Sequence, residues 1–352
     1  MLQIITLDEK NKWSQIVKSF KHFDVYYLPE YVEAYELHGD GTPILFYYNY
    51  NGLRALNVAM LRDLSKDPKF KEAIPENTYF DLSTPYGYGG FLLEGDTSPV
   101  NMKQLDVDYQ RLCKENNIVS EFVRFHPVLE NSEEIGEMYD VVKSGRTVTL
   151  DLESQEQIWN NFKSKNRNVI RKAKKAGIEI RWGNLPELID TFIPMYKATM
   201  DKNGAEDYYY FSEEFFHHLQ QNLKYNMCIF YAYFEGEIVS MAMILFANQK
   251  IHYHLSASNP KYHKYSPSNL LLNEVANWGV ENNFTKFHLG GGVSNEEDNL
   301  FYFKNSFTKG KNTRFSIGKK IFDQEKYNEL VSLRKEWGSF NTESSYFPEY
   351  RQ

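Results

Sequence analysis

Lys304 stands in the run Phe303-Lys304-Asn-Ser-Phe307. The two phenylalanines should anchor a short helix. A cation held beside them could steady the negative charge that develops on a carbonyl oxygen during acyl transfer. The alternative is a stem lying over rings with its ammonium in water. Gly290-Gly291-Gly292 precedes it, at the end of a strand, and glycines there let a ligand approach the backbone closely. Glu296, Glu297 and Asp298 follow as candidate bases, or as a solvated acidic loop. Tyr253 and Tyr262 flank the segment that leads into Ser266-Pro267-Ser268-Asn269. That segment opens a helix whose free N–H groups suit an anion, unless Ser266 simply caps them. In the first half, Pro85-Tyr86-Gly-Tyr88-Gly-Gly90 sets amphipathic rings along a flexible backbone, as a sugar or peptide cleft requires, or forms a tight loop.

A second chemistry is electrostatic. Lys163, Lys165, Arg167, Arg171, Lys172, Lys174 and Lys175 fall between residues 163 and 175 with no acid among them. On one continuous helix, Lys163, Arg167, Arg171 and Lys174 form a stripe bordering the apolar face. Like charges at i,i+4 weaken an isolated helix, and a polyanion would relieve them, with Arg suited to bidentate phosphate contact. A solvated face of a Lys-rich protein accounts for the same run. Asn166 projects among Trp159, Phe162 and Val169, so it should be buried and hydrogen-bonded, as a staple between the two halves.

Other chemistries find no support. No phosphate-binding Walker loop, H-E-x-x-H, G-x-S-x-G or paired-cysteine motif occurs, and the histidines lack ligand spacing apart from His217-His218 and His252/His254, the latter two reading as a strand face, so no metal is expected. Two cysteines, Cys113 and Cys228, are too few for a disulfide framework or a structural zinc site. A net charge of −7 argues against general nucleic-acid binding while leaving room for one local basic stripe. No window reaches the ~18–20 apolar residues of a membrane span, and the N-terminus shows no secretory signal, so a cytoplasmic protein is expected. At 352 residues, with 42% apolar and 25% charged residues, two globular domains are the natural count.

The elements that must position these residues read as mixed α/β. Ser154 and Gln157 form a capping box that starts one helix, with Gly177 as its stop. From residue 178 the pattern predicts β-α-α-β-β-β-α-β-α-β, with the last strand near Arg314–Ile317 closing that unit. The first half repeats part of it. The hairpin centred on Asn51-Gly52 matches the one at Glu235-Gly236, Phe125-His126 echoes Phe287-His288, and two helices precede each hairpin. The expected domains are residues 1–145 and 146–320.

The run Thr149-Leu-Asp-Leu152, Trp159, Asn166-Arg167, Ile170-Arg171-Lys172-Ala173 and Gly177 resembles the opening of the second domain of the Fem-type aminoacyltransferases. Tyr253, Tyr262, Pro267 with Leu270-Leu271, Gly290-Gly291 and Phe303-Lys304-Asn-Ser-Phe307 continue the resemblance in order. It is strongest over residues 146–318 and rests in the first half mainly on Tyr86-Gly-Tyr88-Gly-Gly90. The resemblance implies two tandem GNAT-type domains, with residues 321–352 packed back on the first, and transfer of an amino acid from aminoacyl-tRNA to an amine of a peptidoglycan precursor. It makes Lys304 the lysine next to the reacting carbonyl and sets Arg167 and Arg171 near the donor or precursor phosphates, so that the basic helix becomes a contact for charged tRNA. Beside it, on their residue types, Tyr253 and Asp298 stand as further catalytic candidates and Tyr262, Ser268, Tyr86, Tyr88 and Gly291 as substrate contacts. The chain departs from the family in three ways. The helical coiled-coil arm of some members is absent. Tyr31 and Tyr35 stand where an early lysine is used for the precursor diphosphate. Tyr265-Ser-Pro-Ser-Asn-Leu270 replaces the pyrophosphate loop of CoA-dependent GNAT enzymes.

The expected function is thus an acyltransferase acting on a cell-envelope precursor, with aminoacyl-tRNA or acyl-CoA as donor and no tightly bound cofactor. Two alternatives stand beside it. One is an acyl-CoA-dependent N-acyltransferase acting on an amino sugar. The other is a non-catalytic module that grips a glycan or peptide.

Overall fold

The computed structural model describes residues 1–70, 73–293, 297–336, 340–341 and 343–352. The chain divides into two compact units, Met1–Ser144 with Phe315–Gln352, and Gly145–Arg314. In chain order the first stretch runs β1 (Leu2–Thr6), α1 (Lys10–Lys18), α2 (Pro29–His38), β2 (Thr42–Tyr50), β3 (Leu53–Asp63), β4 (Phe80–Ser83), β5 (Leu92–Gly95), α3 (Pro99–Glu115) and β6 (Ile118–Arg124). β7 (Asp140–Asp151) spans the division. Then come α4 (Gln155–Asn161), α5 (Ser164–Lys175), β8 (Glu179–Gly183), α6 (Pro186–Asn203), α7 (Glu213–Asn222), β9 (Met227–Phe234), β10 (Glu237–Ala247), β11 (Lys250–Ser258), α8 (Pro267–Glu281), β12 (Lys286–Gly290) and α9 (Asn299–Lys304). β13 (Thr313–Ile321) and α10 (Gln324–Glu336) follow. No described helix is long and apolar enough to cross a membrane.

Each unit is built the same way. In the first, β1, β2, β3 and β4 pair antiparallel in that order, β4 pairs parallel with β6, and α3 makes the crossover. In the second, β8, β9, β10 and β11 pair antiparallel, β11 pairs parallel with β12, and α8 makes the crossover. The first hairpin of each turns through two residues of positive φ, Asn51-Gly52 (48° and 81°) and Glu235-Gly236 (51° and 90°). That is the I′ geometry whose twist matches the flanking strands. The duplication read from these turns is therefore present in the strand order.

The last strand of each set is exchanged. The sequence assigns the strand after Arg314 to the second unit. Its residues Ile317–Ile321 instead pair antiparallel with Ser120–Arg124 of β6 in the first. The second unit's sheet is completed by the end of β7, with Leu150 opposite Phe287 of β12. β7 is missed from sequence because Lys143, Ser144 and Arg146 interrupt its apolar alternation and read as a boundary.

The helix expected between Ser154 and Gly177 is two helices. Ser154 caps the first as predicted, accepting from Gln157 N at 3.1 Å. Phe162 and Lys163 are extended (ψ 142° and 146°) and break it. The break has a cause. Phe162, fully buried, meets the Phe307 ring edge-on at 5.2 Å, and Lys163 N–H donates to Ser306 O at 3.0 Å. Burial of one ring and one tertiary hydrogen bond outweigh helix continuity, which is marginal in a run of like charges. The same joint fixes the turn that follows α9.

Candidate active site in the second unit

β11 and β12 are hydrogen-bonded as a parallel pair only from Lys250↔Lys286 to His252↔His288. Beyond that ladder β12 ends at Gly290, while β11 continues through Tyr253 to Ser258. Tyr253 and Gly291 thus follow the last paired residues of the two strands, and α9 delivers Lys304 to both. Its Nζ donates to Gly291 O at 2.6 Å and lies 5.9 Å from the centre of the Tyr253 ring.

Lys304 is only 9% exposed, so its ammonium is not a solvated head. Burial lowers its pKa to about 8, against a smaller opposing pull from Asp298. Among the described residues it forms no salt bridge. One of its three N–H groups is committed to Gly291 O, and among the described residues the other two have no hydrogen-bond acceptor. Tyr253 is shifted the other way. Burial raises its hydroxyl above the ordinary tyrosine range, against a hydrogen bond with Ser256, so it is a neutral O–H donor at neutral pH.

Asp298 builds α9. Its Oδ1 accepts from Phe301 N at 2.7 Å as N-cap, and its Oδ2 accepts from Val293 N at 2.6 Å. Gly291 is required by close approach, since a Cβ there would stand 2.7 Å from Arg146 O. Glu297 pairs with Arg146 at 2.7 Å on the exposed rim. Glu296 lies outside the described residues.

The remaining candidates sit elsewhere. Tyr262 donates to Glu237 at the start of β10. Ser268 Oγ is 2.9 Å from Ser240 Oγ, near the N-terminus of α8, where Ser266 has φ 55° and gives no side-chain cap. Arg167 turns back on α4, its Nη1 donating to the carbonyls of Phe162 (2.9 Å), Asn160 (3.2 Å) and Trp159 (3.4 Å). Arg171 is exposed, with its guanidinium 5.1 Å from the Trp159 ring centre. Asn166 is buried and accepts from Asn269 Nδ2 at 2.8 Å, so it ties α5 to α8 inside one unit and does not join the halves. Tyr86 and Tyr88 belong to a ring cluster of the first unit, with Tyr86 stacked 5.8 Å from Tyr35 and Tyr88 edge-on 5.8 Å from Tyr26.

Sequence reading treated His252 and His254 as a strand face. His254 is held neutral, with its pKa lowered by burial and by His252 to about 3. His288 Nδ1 is bonded to Thr149 Oγ1 at 2.8 Å. Their position at the end of a parallel ladder is a tertiary fact that spacing could not supply.

Residues 160–304 match the family described as acetyltransferase (GNAT) domain. The crystal structure of FemX superposes with a TM-score of 0.66 at 15% identity, covering 93% of this chain and 99% of that one. The fold is Fem-type. A conserved protein of unknown function from Bacteroides thetaiotaomicron shares it, at TM-score 0.55 and 10% identity, covering 90% of this chain and 99% of that one. In sequence, the chain is 29% identical over 174 residues to the UDP-N-acetylmuramoylpentapeptide-lysine N(6)-alanyltransferase of Weissella viridescens. That alignment covers 48% of this chain and spans half the length of the relative.

Proposed function

We propose that the chain is an acyltransferase that moves an aminoacyl group onto an amine of a cell-envelope precursor. The buried ammonium of Lys304, with no salt bridge among the described residues, carries this reading. The similarity to an alanyltransferase acting on a muramoylpentapeptide lysine supports the acceptor class.

In the reaction, the acceptor amine attacks the carbonyl carbon of the donor ester and the carbonyl oxygen becomes an oxyanion. Lys304 offers it the two N–H groups not used by Gly291 O. The intermediate collapses by breaking the bond to the leaving oxygen, which takes up the proton lost by the amine. Tyr253, uncharged at neutral pH, relays that proton in this reading. Little else is needed, because holding donor and acceptor in attack geometry supplies much of the rate. The donor is aminoacyl-tRNA. Its approach is served by the exposed basic residues of α5, with Arg171 the arginine left outward once Arg167 is spent on α4.

The test is transfer by the purified chain to UDP-N-acetylmuramoylpentapeptide, with alanyl-tRNA and acetyl-CoA as separate donors. Formation of an alanylated lysine from the tRNA alone is expected. Acetylation with no use of tRNA would replace the donor assignment. Binding of the precursor with no transfer from either donor would make the chain a binding module.

A further inference from the structure

β8 lies at the edge of the second unit's sheet. Among the described residues it pairs with β9 and with no other strand. Its far side therefore presents backbone N–H and C=O groups that a further strand could take. Glu179, Arg181 and Trp182 are all exposed, Trp182 by 57%. The approach is open just before the strand, since a Cβ on Gly177 would meet nothing within 4 Å.

Exposed edges are ordinarily guarded by charge of one sign, commonly lysine, which repels a second copy. β8 carries another pattern. Glu179 and Arg181 are two residues apart, so they share one face, and their signs oppose. They contact each other at 2.7 Å, and the Arg181 guanidinium lies 4.4 Å from the Tyr233 ring centre, which holds it along that face. If two such strands pair antiparallel about a two-fold axis at Ile180, Glu179 of each faces Arg181 of the other. Moving the axis one residue either way sets Glu179 or Arg181 against its own copy, and like charges directly opposite are destabilising. Charge therefore selects one register. On the other face that register lays Ile180 against its copy. It also brings Trp182, stacked 6.1 Å from Phe230, opposite Ile178 of the copy. β1, the corresponding edge of the first unit, reads Leu-Gln-Ile-Ile-Thr and has no charge to set a register.

We propose that β8 is a self-association edge: two copies of the chain pair antiparallel through it about a two-fold axis at Ile180, with Glu179 of each facing Arg181 of the other. The interface is independent of the acyltransferase reading.

The test is analytical ultracentrifugation of the full chain across the micromolar range, on wild type, E179R, R181E and the double exchange E179R/R181E. Wild type should show a concentration-dependent equilibrium between monomer and dimer. Each single exchange turns two attractions into two repulsions and should raise the dissociation constant about ten-fold or more, on the scale of paired cross-strand charges. The double exchange restores opposite signs at both contacts and should restore the dimer. A wild type that stays monomeric throughout, or a dimer that both single exchanges leave unchanged, overturns the proposal. A double exchange as weak as the single ones overturns the register. Hydrogen exchange locates the contact and needs no variant to fold. The amides of residues 179–183 should exchange more slowly at high protein concentration than at low. Protection confined to another segment overturns the assignment to β8.

Discussion

Lys304 is held against its own preference for water. A lysine at about 8 in place of 10.5 costs the fold about 3 kcal/mol at neutral pH. The cost is fully present below about pH 8 and is relieved as pH rises toward 10.5, because the unfolded chain binds the extra proton. K304M should therefore be more stable than wild type at pH 7 in chemical denaturation, with the gap closing by about pH 10. A gap that stays constant with pH would contradict the buried-ammonium assignment. In the wild type the acylation rate should fall as pH rises through about 8, where the ammonium is lost, and a single-turnover pH series reads this directly. At this scale the sequence was informative. Lys304 and Tyr253 stand out by their aromatic settings, and the structure brings them together. Asp298 reads from sequence as one of three equivalent acids. Its pairing with two backbone N–H groups depends on the path of the turn before α9, which composition does not encode.

At the scale of elements, the break between α4 and α5 decides what the basic run does. Sequence periodicity treats residues 154–177 as one helix, because the two forces that divide it, burial of Phe162 against Phe307 and the Lys163–Ser306 hydrogen bond, come from residues about 145 positions away. Arg167 then closes α4 by bonding its last carbonyls. R167A should lower the stability of the chain by about 1–2 kcal/mol in urea titration, the scale of a lost charged hydrogen-bond set. R171A, exposed, should change stability by less than about 0.5 kcal/mol. Equal effects would remove the distinction drawn between the two arginines. The Tyr86–Gly90 loop also has a structural duty. Gly87 has φ +98°, and a Cβ there would stand 2.5 Å from the Tyr26 ring. G87A should destabilise by about 1–3 kcal/mol, measured by thermal melting. An unchanged melting temperature would mean that the ring cluster yields.

At the scale of the whole molecule, the order of strands and helices from residue 178 onward was legible because it rests on local signals: I′ turns, Pro at helix starts, and period-two runs. The strand exchange was not, because β7 and β13 carry no mark of which sheet they join. The family resemblance led to the expectation that the chain's end packs on the first unit, but the contacts that anchor it were not legible. Arg351 bonds Asp81 through Nε (2.6 Å) and Nη2 (2.9 Å) and bonds Asp67 through Nη1 (2.9 Å), while the fully buried Tyr350 reaches Ser120 at 2.6 Å. Burial alone would raise Asp81, but Arg62 and Arg351 hold it below the usual carboxylate range. R351A should cost about 3–5 kcal/mol at neutral pH, as breaking a buried ion pair does. The stability that this network supplies is present above about pH 4 and lost as pH falls through the depressed Asp81 value, so the difference between wild type and R351A should shrink in acid. A difference independent of pH would assign the loss to packing. The account as a whole turns on one comparison, transfer from alanyl-tRNA to UDP-N-acetylmuramoylpentapeptide by wild type and by K304M, both folded, at pH 7. A fall of about 10²-fold or more in turnover is predicted, the scale of a lost oxyanion donor. Equal turnover in the two proteins would contradict it.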